Sequence, residues 1–490
     1  MPPLSQYLKC ARDGRAVAEY TIAPTSAIPC AVKRLISKDF LSRFDAKGEL
    51  PCTCGSVHTL LTRSVLVSSD AIGESARLLA ESKGTGVRLW VLSDTNTEAA
   101  AGGSFKSAVR AARVVSRVLP GTPRVRPTEE LARELAREAG AASVDLIVAV
   151  GSGVISDLGK RVSLLSGLPN WCVATAPSVD AYGSATAAID INGYHGAVPC
   201  RVSEVIVADL DVIGRAPRVM FHAGMGDLLA KFIAHLDWNL AHVMTGEAYC
   251  PLAADTALES ARAALDAARR LDEEPAEATR TLTDAGLSSS FAMQATGGSR
   301  PAASVEHTLA HFWETAHSSG RDSLDLHGIL AGTASRIILP LYESFYQRLE
   351  GFTPDVSRRL AAFDAEPPWR EGLAMSLHPF MAKIEEEMGQ RAFSKAVLAE
   401  RLATFVERRH TIIQKARDML GELASSVRLL EKIGCPFTVN DLDIRRENVL
   451  LPLHSVRLLR RRYSSFDLAY ELGIEESIMR DAENNPRLGQ

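Results

Sequence analysis

Apolar and polar positions follow two different rhythms along this chain, and the change of rhythm divides it. Between Thr62 and Asp209, short apolar runs alternate with stretches whose apolar residues recur every three or four positions. The runs Ser64–Val67, Val87–Leu92, Val144–Val150, Trp171–Ala174 and Glu204–Asp209 predict strands. Helical spacing predicts helices over about Asp70–Ser82, capped by Ser69 or Asp70, and over Ser104–Leu119, Glu129–Ala139 and Gly153 to about Leu165. Strands alternating with helices imply βαβ units and a parallel sheet. Leu146–Val150 is apolar without alternation, the pattern of a strand buried on both faces. From about Pro217 only helical periodicity remains, as in Thr256–Leu271 and in Leu398–Ile433, the latter read as broken near Thr411. The fold class that follows is α/β plus all-α: a Rossmann-like parallel-sheet domain, then an all-helical one, with the boundary near Arg215–Arg218.

Composition adds exclusions. Across 490 residues, charged residues are 23% and the net charge is −4, so nothing supplies the basic excess that phosphate backbones demand. No apolar run approaches the ~20 residues of a membrane span, and the start lacks a signal peptide's apolar core, which favours a cytoplasmic enzyme. Eight scattered cysteines favour reduced thiols over a disulfide frame. Cys52, Cys54 and His58 offer three ligands to zinc, but a fourth is missing and CxC is not the usual spacing, so a surface hairpin with Cys–Gly turn chemistry is preferred there.

Candidate chemistry gathers at two places. Gly151-Ser152-Gly153 joins a buried strand to a helix N-terminus, where backbone N–H groups and the helix dipole favour an anion. Without a third glycine it is not the dinucleotide fingerprint. The next strand ends in Thr175-Ala176-Pro177-Ser178-Val179-Asp180, a hydroxyl-rich loop with a carboxylate, and ligands of open α/β sheets lie beyond such strand ends. Asp94, just past another strand, is suited to an adenosine ribose, or equally to capping the next turn. In the helical half, His307 and His311 are four apart on one helix face, His327 follows a loop, and Asp227 is read as opening a helix entered through Gly224 and Gly226. One Asp and two His make a three-ligand site with an open position, as a catalytic zinc requires.

Taken together, GSGVISDLGK (151–160), TAPSVDAYGS (175–184), GMGDLLAK (224–231), GGSRPAASVEHTLAHFWE (297–314) and LHG (326–328) resemble the iron-containing alcohol dehydrogenase and dehydroquinate synthase superfamily, and within it the bacterial type of sn-glycerol-1-phosphate dehydrogenase. CTCGSVH (52–58) and RRRYSSFDLAYELG (460–473) extend the likeness to nearly the whole chain. Ala303 departs from it, standing where a glycine is expected. The resemblance implies an NAD(P)-binding domain over 1–216 and a metal- and substrate-binding domain over 217–490. It implies that Asp227, His307 and His327 hold one divalent metal, Zn2+ in the first instance and Ni2+ in some relatives. Gly151, Ser152, Gly153, Asp157, Thr175, Ser178 and Ser184 would meet the cofactor, alongside Asp94 from its strand-end position. Asp180 and His311 would be catalytic, Asp180 on a substrate hydroxyl and His311 beside the metal. Lys231 is a candidate donor to a substrate phosphate, although a solvated lysine or an ion pair is the preferred reading there. The implied reaction is reduction of dihydroxyacetone phosphate to sn-glycerol 1-phosphate with NADH or NADPH, by a homodimer or higher homo-oligomer acting on a small phosphorylated molecule. A glycerol or polyol dehydrogenase, a dehydroquinate synthase-like cyclase and a catalytically silent relative are the rival readings.

Overall fold

The computed structural model describes residues 38–316, 326–363 and 393–485. A short antiparallel hairpin, β1 (Glu49–Pro51) and β2 (Val57–Thr59), precedes the main sheet. That sheet has six strands, all parallel: β3 (Ser64–Ser68), β4 (Arg88–Asp94), β5 (Arg113–Leu119), β6 (Leu146–Gly151), β7 (Asn170–Ala174) and β10 (Val205–Asp209), in the order β3-β10-β7-β6-β4-β5. Every residue of β6, β7 and β10 is buried, as strands covered on both faces must be. Chain order steps outward from β4 to β5 and then returns through β6 towards β3. The carboxyl ends of β4 and β6 therefore flank the point where the winding reverses, the place such sheets bind ligands.

Helices α1 (Ala71–Lys83), α2 (Glu129–Ala141) and α3 (Gly153–Ser166) lie where helical spacing predicted them. The span Ser104–Leu119 does not. Only Gly103–Ala108 is helical there, and Arg113–Leu119 is the edge strand β5. Val114, Val115 and Val118 suit the β backbone, and an edge strand pairs on one side only, so its buried pattern is too sparse to declare itself. A second hairpin, β8 (Thr186–Ile191) and β9 (Tyr194–Pro199), turns through Asn192 and Gly193 at φ 52° and 82°, the left-handed pair that Asn-Gly favours.

After β10 the described residues hold helices and no strand. These include α4 (Arg218–Leu229), α5 (Lys231–Thr245), α6 (Pro251–Arg270), α7 (Pro275–Thr296), α8 (Val305–Ala316), α9 (His327–Leu349) and α10 (Lys395–Lys432). The last is one continuous helix with no break at Thr411: Phe405, Ile412, Ile413 and Ala416 are buried across that point, so packing overrides the local β-branched preference. One large apolar cluster unites this half, running from Phe221 and Leu229 through Trp313 and Ile338 to Phe405 and Leu430.

Candidate active site

The site begins with close approach of backbones. Gly224 and Gly226 lie inside α4, not before it, and Asp227 sits in its last turn. A Cβ on Gly224 would stand 1.9 Å from the Pro177 carbonyl oxygen, and one on Gly226 would stand 2.2 Å from that of Gly328. The missing side chains let α4 press on both the loop after β7 and the start of α9. Asp227 is thereby brought to His327, the first residue of α9, and to His307 on α8. One ligand atom from each of Asp227, His307 and His327 lies within 4.8 Å of the others. His307 Nε2 is 3.4 Å from Asp227 Oδ1, and the rings of His307 and His327 are 5.0 Å apart.

Carboxylates orient both imidazoles from behind. Glu306 Oε1 lies 2.9 Å from His307 Nδ1, and Glu314 Oε1 lies 3.0 Å from His327 Nδ1. Each Nε2 is thus left for a ligand, the carboxylate–histidine arrangement of metal sites, and the O,N,N donor set fits a divalent ion with positions open to substrate. Glu314 Oε2 also holds His311 Nδ1 at 2.8 Å, and His195 from β9 approaches the same oxygen at 3.5 Å while Asp190 holds its Nδ1. Glu306, Glu314, His195 and Asp190 were not singled out in the sequence. The first two could have been, since Glu306 adjoins a candidate ligand and Glu314 falls on the same helix face as His307 and His311. The last two needed the Asn-Gly hairpin.

Lys231 takes the ion-pair reading over the solvated and phosphate-donor ones. It is fully buried, its ammonium 2.8 Å from Asp180 Oδ2 and 3.1 Å from Asp227 Oδ1, and it also donates to the Asp227 carbonyl at 2.8 Å. All three donors are engaged inside the protein. Burial favours its neutral form, but Asp180 and Asp227 outweigh that and raise its pKa. Burial likewise opposes ionisation of Asp227, yet Lys231 and the imidazoles hold its carboxyl well below the usual range. Asp180 goes the other way: burial and the neighbouring Asp227 raise it, with Lys231 and Ser289 only partly compensating. Ser289 donates to Asp180 Oδ2 at 2.6 Å, and the Asp180 N–H donates to Asp227 Oδ2 at 3.0 Å. For His311, burial pushes the imidazole down to about 3 against the pull of Glu314.

A cavity of about 590 Å3 runs from these groups to the sheet crevice, with Asp180, Asp227, His307, His311 and His327 in one part of its wall and Asp94, Ser152, Gly153 and Ser178 in another. The N-terminus of α3 meets it with no side chain capping its N–H groups, and Gly153, Val154 and Ile155 line the wall. An uncapped helix start facing a cavity suits an anionic group such as a pyrophosphate. Ser152 and Ser178 share a hydrogen bond at its rim. Other expected cofactor residues are differently engaged. Asp94 caps the following turn, its Oδ1 accepting from the Asn96 and Thr97 N–H groups, while still lining the cavity. Asp157 pairs with the buried Lys160 at 2.8 Å and accepts from the Ala188 N–H. The Ser184 hydroxyl contacts Lys160 and two backbone carbonyls. Gly151, inside β6, and Thr175 are not among the cavity's lining residues.

A strand-end crevice with an open helix N-terminus thus faces a carboxylate and two oriented imidazoles from the helical region. The chain belongs to the iron-containing alcohol dehydrogenase family. The model of that family matches residues 66–217. A glycerol-1-phosphate dehydrogenase (NAD(P)+) of Hyperthermus butylicus is 34% identical over 251 residues, 51% of this chain and 71% of that protein. One of Geobacillus thermodenitrificans is 34% identical over 203 residues, 41% of this chain and 50% of that protein. The chain spans about half the length of the first four bacterial relatives it matches. An archaeal halo-thermophilic alcohol dehydrogenase from a Red Sea brine pool shares the fold at a TM-score of 0.57 and 12% identity, over 86% of this chain and 98% of that one. No helix among the described residues is long and apolar enough to cross a membrane.

Proposed function

We propose that this chain is a metal-dependent oxidoreductase that reduces dihydroxyacetone phosphate to sn-glycerol 1-phosphate with NADH or NADPH, and catalyses the reverse. One observation carries the reading: a single cavity joins the uncapped helix start after β6 to the Asp227, His307 and His327 cluster. The names of the relatives support the substrate and the cofactor. Asp227, His307 and His327 hold the divalent ion, Zn2+ or Ni2+, and Gly153 with the first N–H groups of α3 holds the cofactor's pyrophosphate. When bound, the ion supplies Lewis acidity towards the substrate's C2 oxygen and the reduced nicotinamide supplies a hydride.

The remaining steps belong to the chain. Asp180, its Oδ2 already held by Ser289 and Lys231, offers Oδ1 to a substrate hydroxyl and sets which face is presented. Glu314 fixes His311 through Nδ1, so Nε2 accepts the hydroxyl proton in the oxidation direction and returns it in reduction. Burial keeps that imidazole neutral, with the Nε2 lone pair unprotonated. Lys231 neutralises the charge that Asp180 and Asp227 would otherwise press on each other. The active form is a homodimer or a higher homo-oligomer.

The test follows oxidation of NADH and of NADPH with dihydroxyacetone phosphate and, separately, unphosphorylated dihydroxyacetone, in EDTA-treated protein with and without added Zn2+ or Ni2+. The expected result is metal-dependent oxidation that needs the phosphate and gives the sn-1 product. Turnover undiminished without metal, or a preference for the unphosphorylated substrate, refutes it.

A further inference from the structure

Away from the cavity, the structure supplies what the CxC segment lacks in the sequence. Cys52 and Cys54 stand in the tight turn between β1 and β2, where the Cys52 N–H bonds the Ser56 carbonyl and the Gly55 N–H bonds the Cys52 carbonyl. His58 follows on β2. Cys250 arrives from 192 residues further along, as the residue that caps α6. One ligand atom from each of Cys52, Cys54, His58 and Cys250 lies within 4.8 Å of all the others.

We propose that Cys52, Cys54, His58 and Cys250 form a structural Cys3His site for Zn2+, independent of the catalytic site. The spacing fits one ion. Ligands at about 2.3 Å (sulfur) and about 2.0 Å (nitrogen) from a tetrahedral zinc stand about 3.8 Å apart sulfur to sulfur and about 3.5 Å sulfur to nitrogen. Cys52 and Cys250 are 3.8 Å apart at Sγ, far from a bonded pair, while His58 Nε2 is 3.1 Å from Cys250 Sγ and 3.3 Å from Cys54 Sγ. The imidazole is already in a ligand's tautomer: Nδ1 donates to the Ala295 carbonyl at 2.9 Å, which leaves the Nε2 lone pair aimed at the sulfurs. Cys250 heads a 20-residue helix, and its Sγ accepts from the Ala253 N–H at 3.5 Å, which fixes where the sulfur stands.

Trp238, Ala253, Ala254, Ala257 and Ala292 wall the cluster with apolar groups. A half-buried pocket that offers three sulfurs and one imidazole, with four ligands and no open position, is the composition of a closed zinc site, and thiolate ligands select Zn2+ over hard cations such as Mg2+. Binding releases the thiol protons to solvent and changes no oxidation state. The site pins the hairpin before β3 onto α6 and α7 of the helical half, closing a loop of nearly 200 residues as a disulfide would, but without needing an oxidant.

Metal content of the purified full chain, measured by mass spectrometry of the elements after gel filtration in EDTA, tests this. In an Asp227→Ala/His307→Ala variant, which lacks the catalytic ligands, one equivalent of zinc is expected to persist. Adding Cys54→Ser and Cys250→Ser should remove it. Should those cysteine variants fail to fold, the Asp227→Ala/His307→Ala protein produced with Co2+ should show thiolate-to-cobalt charge-transfer absorption. Absence of the persistent equivalent, its retention without Cys54 and Cys250, or a Cys52–Cys250 disulfide in the non-reduced peptide map overturns the proposal. None of these readouts uses turnover, so the dehydrogenase reading and the zinc site stand or fall separately.

Discussion

Replacing Lys231 by methionine keeps most of the side chain's length and removes its charge. In the structure that charge stands 2.8 Å from Asp180 and 3.1 Å from Asp227, with none of the three groups meaningfully exposed. Taking it away leaves two buried carboxylates facing each other at the cavity wall and the Asp227 carbonyl without its donor. Breaking a buried pair in this way costs about 3–5 kcal/mol. The variant should therefore unfold at lower urea by that amount, measured in EDTA so that no divalent ion substitutes for the ammonium. Lys231→Met combined with Asp180→Asn removes one of the stranded charges, and about 2 kcal/mol or more should return, a coupling typical of contacting groups. A loss below about 1 kcal/mol in the single variant, or no recovery in the double, would refute the claim that Lys231 exists to neutralise this pair.

Three further outcomes are expected. Asp227→Ala should lose both turnover and one equivalent of EDTA-sensitive metal; full retention of that metal would exclude it as a ligand. His311→Ala should keep the metal and lower kcat by about 100-fold or more, the usual worth of a positioned acid–base group, whereas kcat near wild type would remove it from the mechanism. Burial, helped by Lys415, pushes buried His235 down to about 4. Because the unfolded imidazole titrates near 6.5, the unfolded state binds the proton first, so stability is full above that pH and falls as pH drops towards 4. The loss is at most about 3 kcal/mol at ~1.4 kcal/mol per pH unit, and His235→Gln should flatten the slope of Tm between pH 7 and 4.5; an unchanged slope would refute the assignment.

The parallel sheet was legible because β6, β7 and β10 are buried on both faces and so show as plain apolar runs. β5 was not, since an edge strand shares its polar face with solvent and Arg113–Leu119 then looks helical. The β8–β9 hairpin carries an Asn-Gly signal in the sequence, but only the folded hairpin brings His195 and Asp190 to the site. Asp227, His307 and His327 were legible as a set only through motif resemblance; chain separation alone gives no reason for three such residues to meet. Gly224 and Gly226 were read as a helix entrance because glycine disfavours helix interiors, whereas here they are kept inside a helix by the neighbours that press on them. The meeting of Cys250 with the CxC turn depends on how α6 packs, which no local pattern encodes.

Glu314 gives the site one last property. Its two oxygens serve His311, His327 and His195 together, so three rings from three elements lean on a single carboxylate. No imidazole in that trio can be altered privately: trimming one frees an oxygen that the other two will compete for, and their protons and tilts readjust. Single histidine substitutions here will accordingly measure a committee, and only thermodynamic cycles built around Glu314 will separate its members' votes.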